Sequence, residues 1–223
     1  MRDEPLYWQP LKSGRSKQEI KRSRFLGYAE AIHSEAEARR FMADVRAQER
    51  AARHICYAWR IRGEAGGAQE ERFSDQGEPS GTAGLPILKQ IRHSGLENVL
   101  VLVVRYFGGI LLGTGGLSRA YAETAALALA DAGRAAVQRL RGYRIQMAYA
   151  DHRGIRARLE REGIELQEEC FGALVTAEIW VPEGRSEPCL RAIQELSGGR
   201  ASLDFLDVQD RVNVKLSGTG EAR

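Results

Sequence analysis

The sequence predicts an α+β protein in which a buried strand leads through a glycine-rich loop into a long helix. Residues 99–104 are all apolar and mostly branched, and this run is too short for an ordinary helix. They therefore predict a strand buried on both faces. Glycines cluster between positions 108 and 116, and apolar residues then recur at helical spacing from 117 to 128. Beyond Gly133 strand and helix patterns alternate again, so we expect a mixed fold in two parts.

Composition excludes several classes of protein. The 223 residues carry a formal net charge of only +3, which excludes a uniformly basic nucleic-acid coat but allows a local basic patch. No segment has the apolar core of a signal peptide or the length of a membrane span. The three cysteines are odd in number and far apart, as in proteins of a reducing compartment, and no Cys/His cluster has metal-ligand spacing. We expect a cytoplasmic protein without a membrane anchor, a metal site or a cofactor.

A basic run precedes the first strong strand pattern. Six residues between 12 and 24 are basic, and Glu19 is the only acid among them. Such a run is either a solvated face or a phosphate-binding patch. Residues 25–32 predict a strand, and Ser34, with a glutamate three residues later, predicts a capped helix over about 35–50.

The next strand pattern contains two reactive residue types. Residues 53–61 alternate between two faces, with His54 and Cys56 on the same face. This pair allows a nucleophile and base, but a thiol among apolar neighbours beside a hydrogen-bonded histidine is the favoured interpretation. We therefore expect that oxidation of Cys56 does not govern function. Residues 63–71 then predict a loop.

A second polar loop follows at 72–86, with the sequence R-F-S-D-Q-G-E-P-S-G-T-A-G-L-P. It is too rich in Gly, Pro, Ser, Thr and acids for a buried element, and a helix begins at its end. Two roles are open for its polar residues. Ser80 and Thr82 can cap the helix while Asp75 and Glu78 brace turns. Alternatively, these side chains line a ligand site.

Both glycine-bearing loops precede helices whose first N–H groups lack partners within the helix. We expect the loops to converge on one anion-binding cleft, with Arg105 at the strand end reaching the ligand. The acids would then hold an arginine or Mg²⁺ rather than the anion. The same glycines can instead serve only turns and close packing. The candidate ligand-binding residues are Arg72, Ser74, Asp75, Glu78, Ser80, Thr82, Arg105, Tyr106, Gly108, Gly109, Gly113, Thr114, Gly115, Gly116 and Arg119.

The remainder of the chain predicts a ferredoxin-like βαββαβ domain. Strand patterns occupy 143–149, 164–170, 173–181 and 203–208, with Asp151 as the cap of the first helix. We expect domains over 1–136 and 137–210, meeting near 133–141, and a flexible tail over 211–223. The outer sheet face would carry Arg144, Gln146, Thr176, Glu178 and Trp180. Trp180 would either stack on a base or a partner or pack against a neighbouring domain.

Two long motifs resemble the signature of the IMPACT family in its bacterial YigZ-type form. They are R-F-S-D-Q-G-E-P-S-G-T-A-G-L-P-I-L and V-L-V-V-R-Y-F-G-G-I-L-L-G-T-G-G-L-S-R-A-Y, and the upstream K-R-S-R-F-L and A-R-H-I-C-Y-A also match. The resemblance implies an N-terminal α/β domain with the fold of ribosomal protein S5 domain 2. It also implies a ferredoxin-like second domain similar to the last domain of elongation factor G.

The resemblance further implies a link to translational control and stress. With the loops and the basic residues, it favours a non-catalytic regulatory protein that binds RNA or ribosome-associated components, without DNA specificity. Eukaryotic members contact the activator of the general-control kinase through a separate N-terminal domain, so we do not expect that mechanism here.

The alternative is an enzyme acting on a small phosphorylated or nucleotide-like ligand, by analogy with small-molecule kinases of the S5-like fold. Asp75 or Glu78 would then act as base or hold Mg²⁺, while Arg105 and Arg119 clamp phosphate. The sequence has no complete triad, metal cluster or nucleotide motif that supports this alternative.

Overall fold

The computed structural model describes residues 4–63 and 68–218, with side chains as far as Asn213. The chain forms two compact units, an N-terminal unit built mainly from Tyr7–Ala136 and a C-terminal unit built mainly from Val137–Val212. Both units contain strands and helices, which confirms the predicted α+β class.

The N-terminal unit is built on a five-stranded antiparallel sheet with the order β2-β3-β6-β4-β5. Its elements are β1 (Tyr7–Gln9), β2 (Gly14–Ile20), β3 (Ser23–Ala31), α1 (Glu35–Gln48), β4 (His54–Ile61), β5 (Glu70–Ser74), α2 (Gly84–Ser94), β6 (Val99–Tyr106) and α3 (Gly113–Ala132).

Strand β6 lies at the centre of this sheet because its residues are apolar on both faces. Val99, Val101 and Val103 belong to the core that contains residues of α2 and α3, whereas Leu100 and Leu102 belong to the core beneath α1. The alternation predicted for β4 divides its side chains between the same two cores. The prediction of a strand buried on both faces is therefore confirmed.

The start of α1 agrees with the prediction, whereas α3 starts earlier than predicted. The Ser34 side chain accepts a hydrogen bond from the Glu37 N–H at 3.2 Å, which confirms the cap of α1. Glu37 in turn accepts from the N–H of His33 rather than from that of Ser34. Helix α3 begins at Gly113 rather than after Gly116, so these glycines form its first turn.

The loop predicted at 72–86 begins later than expected, because Arg72, Phe73 and Ser74 belong to strand β5. This strand lies at the edge of the sheet and pairs only with β4 within it. An edge strand needs neither a continuous apolar run nor full burial, so polar residues obscured it in the sequence. Of the loop predicted at 63–71, residues 64–67 lie outside the described part of the chain.

The C-terminal unit has the predicted βαββαβ order. Its elements are β7 (Arg134–Met147), α4 (Tyr149–Arg161), β8 (Gln167–Phe171), β9 (Val175–Pro182), α5 (Ser186–Leu196) and β10 (Ser202–Gly218). Strand β9 pairs antiparallel with both β7 and β8, and β10 pairs with β7. Ile145, Ile155, Ile179 and Ile193 are fully buried in its core.

Two local predictions in this unit are wrong. Helix α4 starts at Tyr149, so Asp151 lies inside its first turn, where Oδ1 accepts from Arg200 at 2.7 Å. Strand β10 continues to Gly218, ten residues beyond the end predicted for the last strand at 208. It thus includes residues 211–218 of the predicted tail, and residues 219–223 lie outside the described range. The polar sequence concealed this strand because its order comes from pairing with β7 and not from an apolar run.

Candidate functional site

Asp75 holds the polar loop between β5 and α2 in place. Its Oδ1 accepts hydrogen bonds from the N–H groups of Ala83 at 2.9 Å and Gly84 at 2.8 Å, and its Oδ2 accepts from the Gly81 N–H at 2.9 Å. The N-cap of α2 is Ala83, which has no capping side chain. Asp75 therefore supplies the cap from a position eight residues upstream, instead of Ser80 or Thr82.

Glu78 and Arg105 form a buried ion pair, with only 3% and 6% of their side chains exposed. Arg105 Nη1 donates to Glu78 Oε1 at 2.8 Å and to Oε2 at 3.1 Å, and the Tyr121 hydroxyl donates to Oε1 at 2.8 Å. The sequence predicts that Arg105 reaches solvent or a ligand at the strand end. Instead, Glu78 folds over it and ties the polar loop to β6 and α3.

Tyr121 is a member of this cluster that the sequence did not indicate as a polar contact. It occupies the apolar stripe of α3, where its ring packs edge-on against Phe25. Burial is the main cause that raises the pKa of Tyr121, and the neighbouring Cys56 and Glu78 raise it further. A buried tyrosine hydroxyl usually needs a hydrogen-bond partner. The position of Tyr121 on the apolar stripe of α3 could therefore have indicated a polar contact in the sequence.

Cys56 and His54 do not form a nucleophile and base. The Cys56 thiol is buried and donates to the backbone carbonyl of Asp75 at 2.9 Å. Burial raises the pKa of this thiol to about 12, so it is protonated at neutral pH. His54 Nδ1 lies 3.3 Å from the backbone oxygen of Gln76. Both residues support the polar loop, in agreement with the favoured interpretation.

The glycine-rich loop after β6 packs against a basic turn. Lys21 and Arg22 form the two-residue turn between β2 and β3, with φ values of 48° and 63°. A Cβ on Gly108 would lie 2.0 Å from the carbonyl carbon of Arg22, and the Gly108 N–H donates to Ser23 Oγ at 3.1 Å. Glycine is therefore required at 108 for close approach, and the two exposed cations stand beside this loop.

The N-terminus of α3 is the part of the predicted site that stays open to solvent. Its N-cap, Leu112, has no side-chain hydrogen bond to the helix, and no acid lies in the first turn. Gly113, Thr114, Gly115 and Arg119 are exposed. The first-turn N–H groups and the positive end of the helix dipole are thus available to an anion. Gly113 lies five positions after Gly108 in the chain, so the two are within about 18 Å of each other.

Two residues of the predicted ligand-binding set, Arg72 and Tyr106, lie on the face of the sheet that carries α1, opposite the face that carries α2 and α3. Arg72 Nη1 donates to Glu35 at 2.7 Å, and the Tyr106 hydroxyl donates to Glu49 Oε2 at 2.5 Å. Both belong to the side of the sheet that carries α1, because neighbours along a strand point to opposite faces. The other members of the predicted set serve the loops or face solvent: the Ser74 hydroxyl accepts from the Gln76 N–H, Thr82 donates to the Pro79 carbonyl, and Ser80 and Gly109 are exposed.

The outer sheet face of the C-terminal unit is polar, as predicted. Arg144 and Glu178 pair across β7 and β9 at 3.0 Å and help to line an open depression of about 650 Å³. The Trp180 ring lies over Gly142, while the Arg211 guanidinium lies 3.9 Å from the ring centroid. Trp180 is therefore packed by residues of its own unit.

The described part of the chain shows neither a metal-binding cluster nor a membrane-spanning helix. Residues 4–63 and 68–218 contain no group of three or more His, Cys, Asp or Glu side chains that could hold a metal ion. Among the described helices, none is long and apolar enough to cross a membrane.

Comparison with known proteins gives matches over both units. Residues 21–129 match the family model of the Impact N-terminal domain, and residues 145–200 match DUF1949, a domain of unknown function. IMPACT family member YigZ of Escherichia coli (strain K12) is 35% identical over 193 residues, covering 86% of this chain and 93% of the relative. An IMPACT family member from Thermus thermophilus, described as lying in the pol 5′ region, is 40% identical over 182 residues, covering 81% of this chain and 97% of the relative.

A solved structure extends the similarity to the fold. The crystal structure of a protein described as hypothetical has a TM-score of 0.59 and 33% identity, covering 90% of this chain and 97% of that one. Two matched domains in the observed order, and relatives aligned over nearly their whole lengths, establish that the chain belongs to the IMPACT family.

Proposed function

We propose that this protein is a non-catalytic regulator of translation that binds RNA through the glycine-rich loop and the basic turn beside it. The observation that carries the proposal is the packing of the Lys21–Arg22 turn against Gly108. This contact puts two exposed cations next to the loop that leads into the uncapped helix α3.

The chemistry of this surface suits a phosphodiester backbone. Phosphate oxygens accept hydrogen bonds from free backbone N–H groups, and exposed lysine and arginine side chains neutralise their charge. Arg119, exposed in the second turn of α3, adds a third cation. The link to translational control that the family resemblance implies fits RNA as the partner, and the proposal requires a cytoplasmic location.

The alternative of an enzyme acting on a small phosphorylated ligand loses its candidate base and phosphate clamp. Both Asp75 oxygens accept backbone N–H groups, and Glu78 is buried with Arg105 and Tyr121. Each carboxylate already accepts three hydrogen bonds that stabilise its charged form, which makes it a weak base for a substrate proton. A small phosphate ligand at the α3 N-terminus would therefore be bound without these groups.

A titration of short fluorescein-labelled RNA, followed by fluorescence anisotropy at several salt concentrations, tests the proposal. The double variant Lys21→Gln/Arg22→Gln should bind more weakly, with the salt slope reduced by about one unit for each phosphate that is no longer neutralised. Lys89→Gln/Arg153→Gln removes the same charge from exposed positions elsewhere and is the matched control. A parent protein that binds no RNA at low salt, or an equal weakening in both double variants, would overturn the proposal.

A further inference from the structure

Strands β2, β3 and β6 bring a set of basic and aromatic residues onto one face of the N-terminal sheet. Pairing between β3 and β6 aligns Arg24 with Tyr106, and pairing between β2 and β3 aligns Arg15 with Tyr28 and Lys17 with Leu26. Directly paired residues share a face, so these side chains form one surface, here named the arginine-tyrosine face. Lys17, Arg15 and Arg24 are exposed at its outer edge.

Each tyrosine of this face lies beneath an arginine. The Arg24 guanidinium is 4.4 Å from the centroid of the half-buried Tyr106 ring, and the Arg15 guanidinium is 4.7 Å from that of the buried Tyr28 ring. A guanidinium is a flat cation that stacks on an aromatic face much as a nucleobase does. Over Tyr106 the stacked group is an exposed side chain on a flexible stem, so it can be displaced.

Both tyrosine rings are fixed in orientation by one carboxylate. The hydroxyls of Tyr28 and Tyr106 donate to Glu49 Oε1 at 2.6 Å and Oε2 at 2.5 Å, at the C-terminal end of α1. These bonds lower the pKa of Glu49, and the hydrogen bond to Glu49 is the main cause that raises the pKa of Tyr106. A ring held this way loses little conformational freedom when another flat group packs on it.

The charge of the face favours an anionic partner. Arg15, Lys17 and Arg24 lie on this face with two acids: Glu19, which pairs with Arg24 across β2 and β3, and Glu30, which accepts from the Ser13 hydroxyl. The exposed turn Lys21–Arg22 adds two cations next to Arg24, so the cations outnumber the acids. Glu49 also faces the tyrosines, but each of its two carboxylate oxygens accepts a hydrogen bond from a tyrosine hydroxyl.

From this arrangement we infer that the bound RNA is single-stranded and that one of its bases stacks on Tyr106. The inference rests on the proposed function, which it extends from the basic turn onto the neighbouring sheet face. The base takes the place of the Arg24 guanidinium over the ring, and Arg24 moves to an adjacent phosphate. A paired base within a duplex has no free face to offer to this ring, so double-stranded RNA binds only through its phosphates.

The sheet face of the C-terminal unit is less suited to this role. Its depression is lined by Glu168 and Glu178 as well as Arg144, and acids there repel phosphate. The aromatic residue that the sequence suggested for base stacking there, Trp180, is half-buried between Gly142 and Arg211.

The test compares labelled single-stranded oligouridine with a duplex RNA of the same length, using the full chain. Tyr106→Leu keeps apolar bulk but removes the stacking ring, and it should weaken oligouridine binding by about fivefold or more, the loss expected for one stacked base. Tyr106→Phe restores the ring but loses the bond to Glu49, so it should bind oligouridine more tightly than Tyr106→Leu does. Binding of the duplex should be the same for all three proteins.

Tyr149→Leu, a change at an exposed tyrosine of the C-terminal unit, is the matched control and should leave oligouridine binding unchanged. Parent protein that binds duplex and single strand equally, or Tyr106→Leu that binds oligouridine as the parent does, would overturn the inference while the proposed function stands. An equal loss in Tyr149→Leu would also overturn it. Absence of any RNA binding by the parent would overturn both.

Discussion

Glu78 and Arg105 are both more than nine-tenths buried, so each neutralises a charge that the core could not accept alone. The pair joins residues 27 positions apart, and Tyr121 joins it from 43 positions away from Glu78. The polar signature loop is therefore held by its acids, and Arg105 serves as the counter-ion of Glu78 inside the protein.

Replacing Glu78 by Gln should lower the free energy of unfolding by about 3–5 kcal/mol, because it leaves the Arg105 charge buried without its counter-ion. Urea denaturation measures this loss. The double variant Glu78→Leu/Arg105→Met removes both charges and should recover most of it. Glu187→Gln, in an exposed pair with Arg191, should change the free energy by less than about 1 kcal/mol. A loss in Glu78→Gln no larger than in Glu187→Gln would contradict the assignment.

Cys56 provides a second prediction at this scale. Because burial raises its pKa to about 12, the folded thiol stays protonated at pH 8 and should resist alkylation by N-ethylmaleimide, whereas the exposed Cys170 should react. Peptide mass spectrometry after timed labelling distinguishes the two. In an unfolded chain the Cys56 pKa would return towards 9, so this group's contribution to stability is present below pH 9 and is lost as the pH rises to about 12. Labelling of Cys56 at the rate of Cys170 would show that the polar loop opens.

At the scale of elements, the start of α2 depends on a cap that is distant in sequence. Asp75→Ala leaves three backbone N–H groups without their acceptor and should cost about 2 kcal/mol, near the upper end for a lost cap. Ser34→Ala, which removes the single side-chain cap bond of α1, should cost about 1 kcal/mol. Hydrogen exchange at Gly81, Ala83 and Gly84 should accelerate only in the Asp75 variant, and unchanged protection there would refute the capping role.

The glycines of the second signature loop have different roles that the sequence could not separate. A Cβ at Gly108 would overlap the backbone of Arg22, whereas a Cβ at Gly115 would meet nothing within 4 Å. Gly108→Ala should therefore destabilise by about 1–3 kcal/mol through overpacking, and Gly115→Ala should stabilise by up to about 1 kcal/mol. Thermal unfolding of both variants measures the difference. Equal shifts in Tm would mean that the packing of the loop on the basic turn is dispensable.

At the scale of the whole molecule, we expect the fragment 4–136 to fold alone. It contains all residues of the two cores that flank the N-terminal sheet, together with the Glu78–Arg105 pair. A single cooperative urea transition, followed by circular dichroism, is the expected result. A gradual transition would show that the domain boundary predicted near 133–141 does not separate independent folding units. Strand β7 runs through that boundary, so proteolysis is expected to be slow there even if the fragment folds.

The sequence by itself determined the helices, the apolar and alternating strands, and the family to which the chain belongs, but not the polar edge strand β5. The run at 99–104, the alternation at 53–61 and the cap at Ser34 depend on neighbours a few residues away, so they are visible in the sequence. The tertiary structure alone decided that Glu78 buries Arg105, that Asp75 caps α2, and that Tyr106 faces α1 rather than the loops. A side chain's partner comes from strand register and helix packing, which bring together residues tens of positions apart. No local periodicity encodes that choice, and for the same reason the arginine-tyrosine face became visible only in the folded sheet.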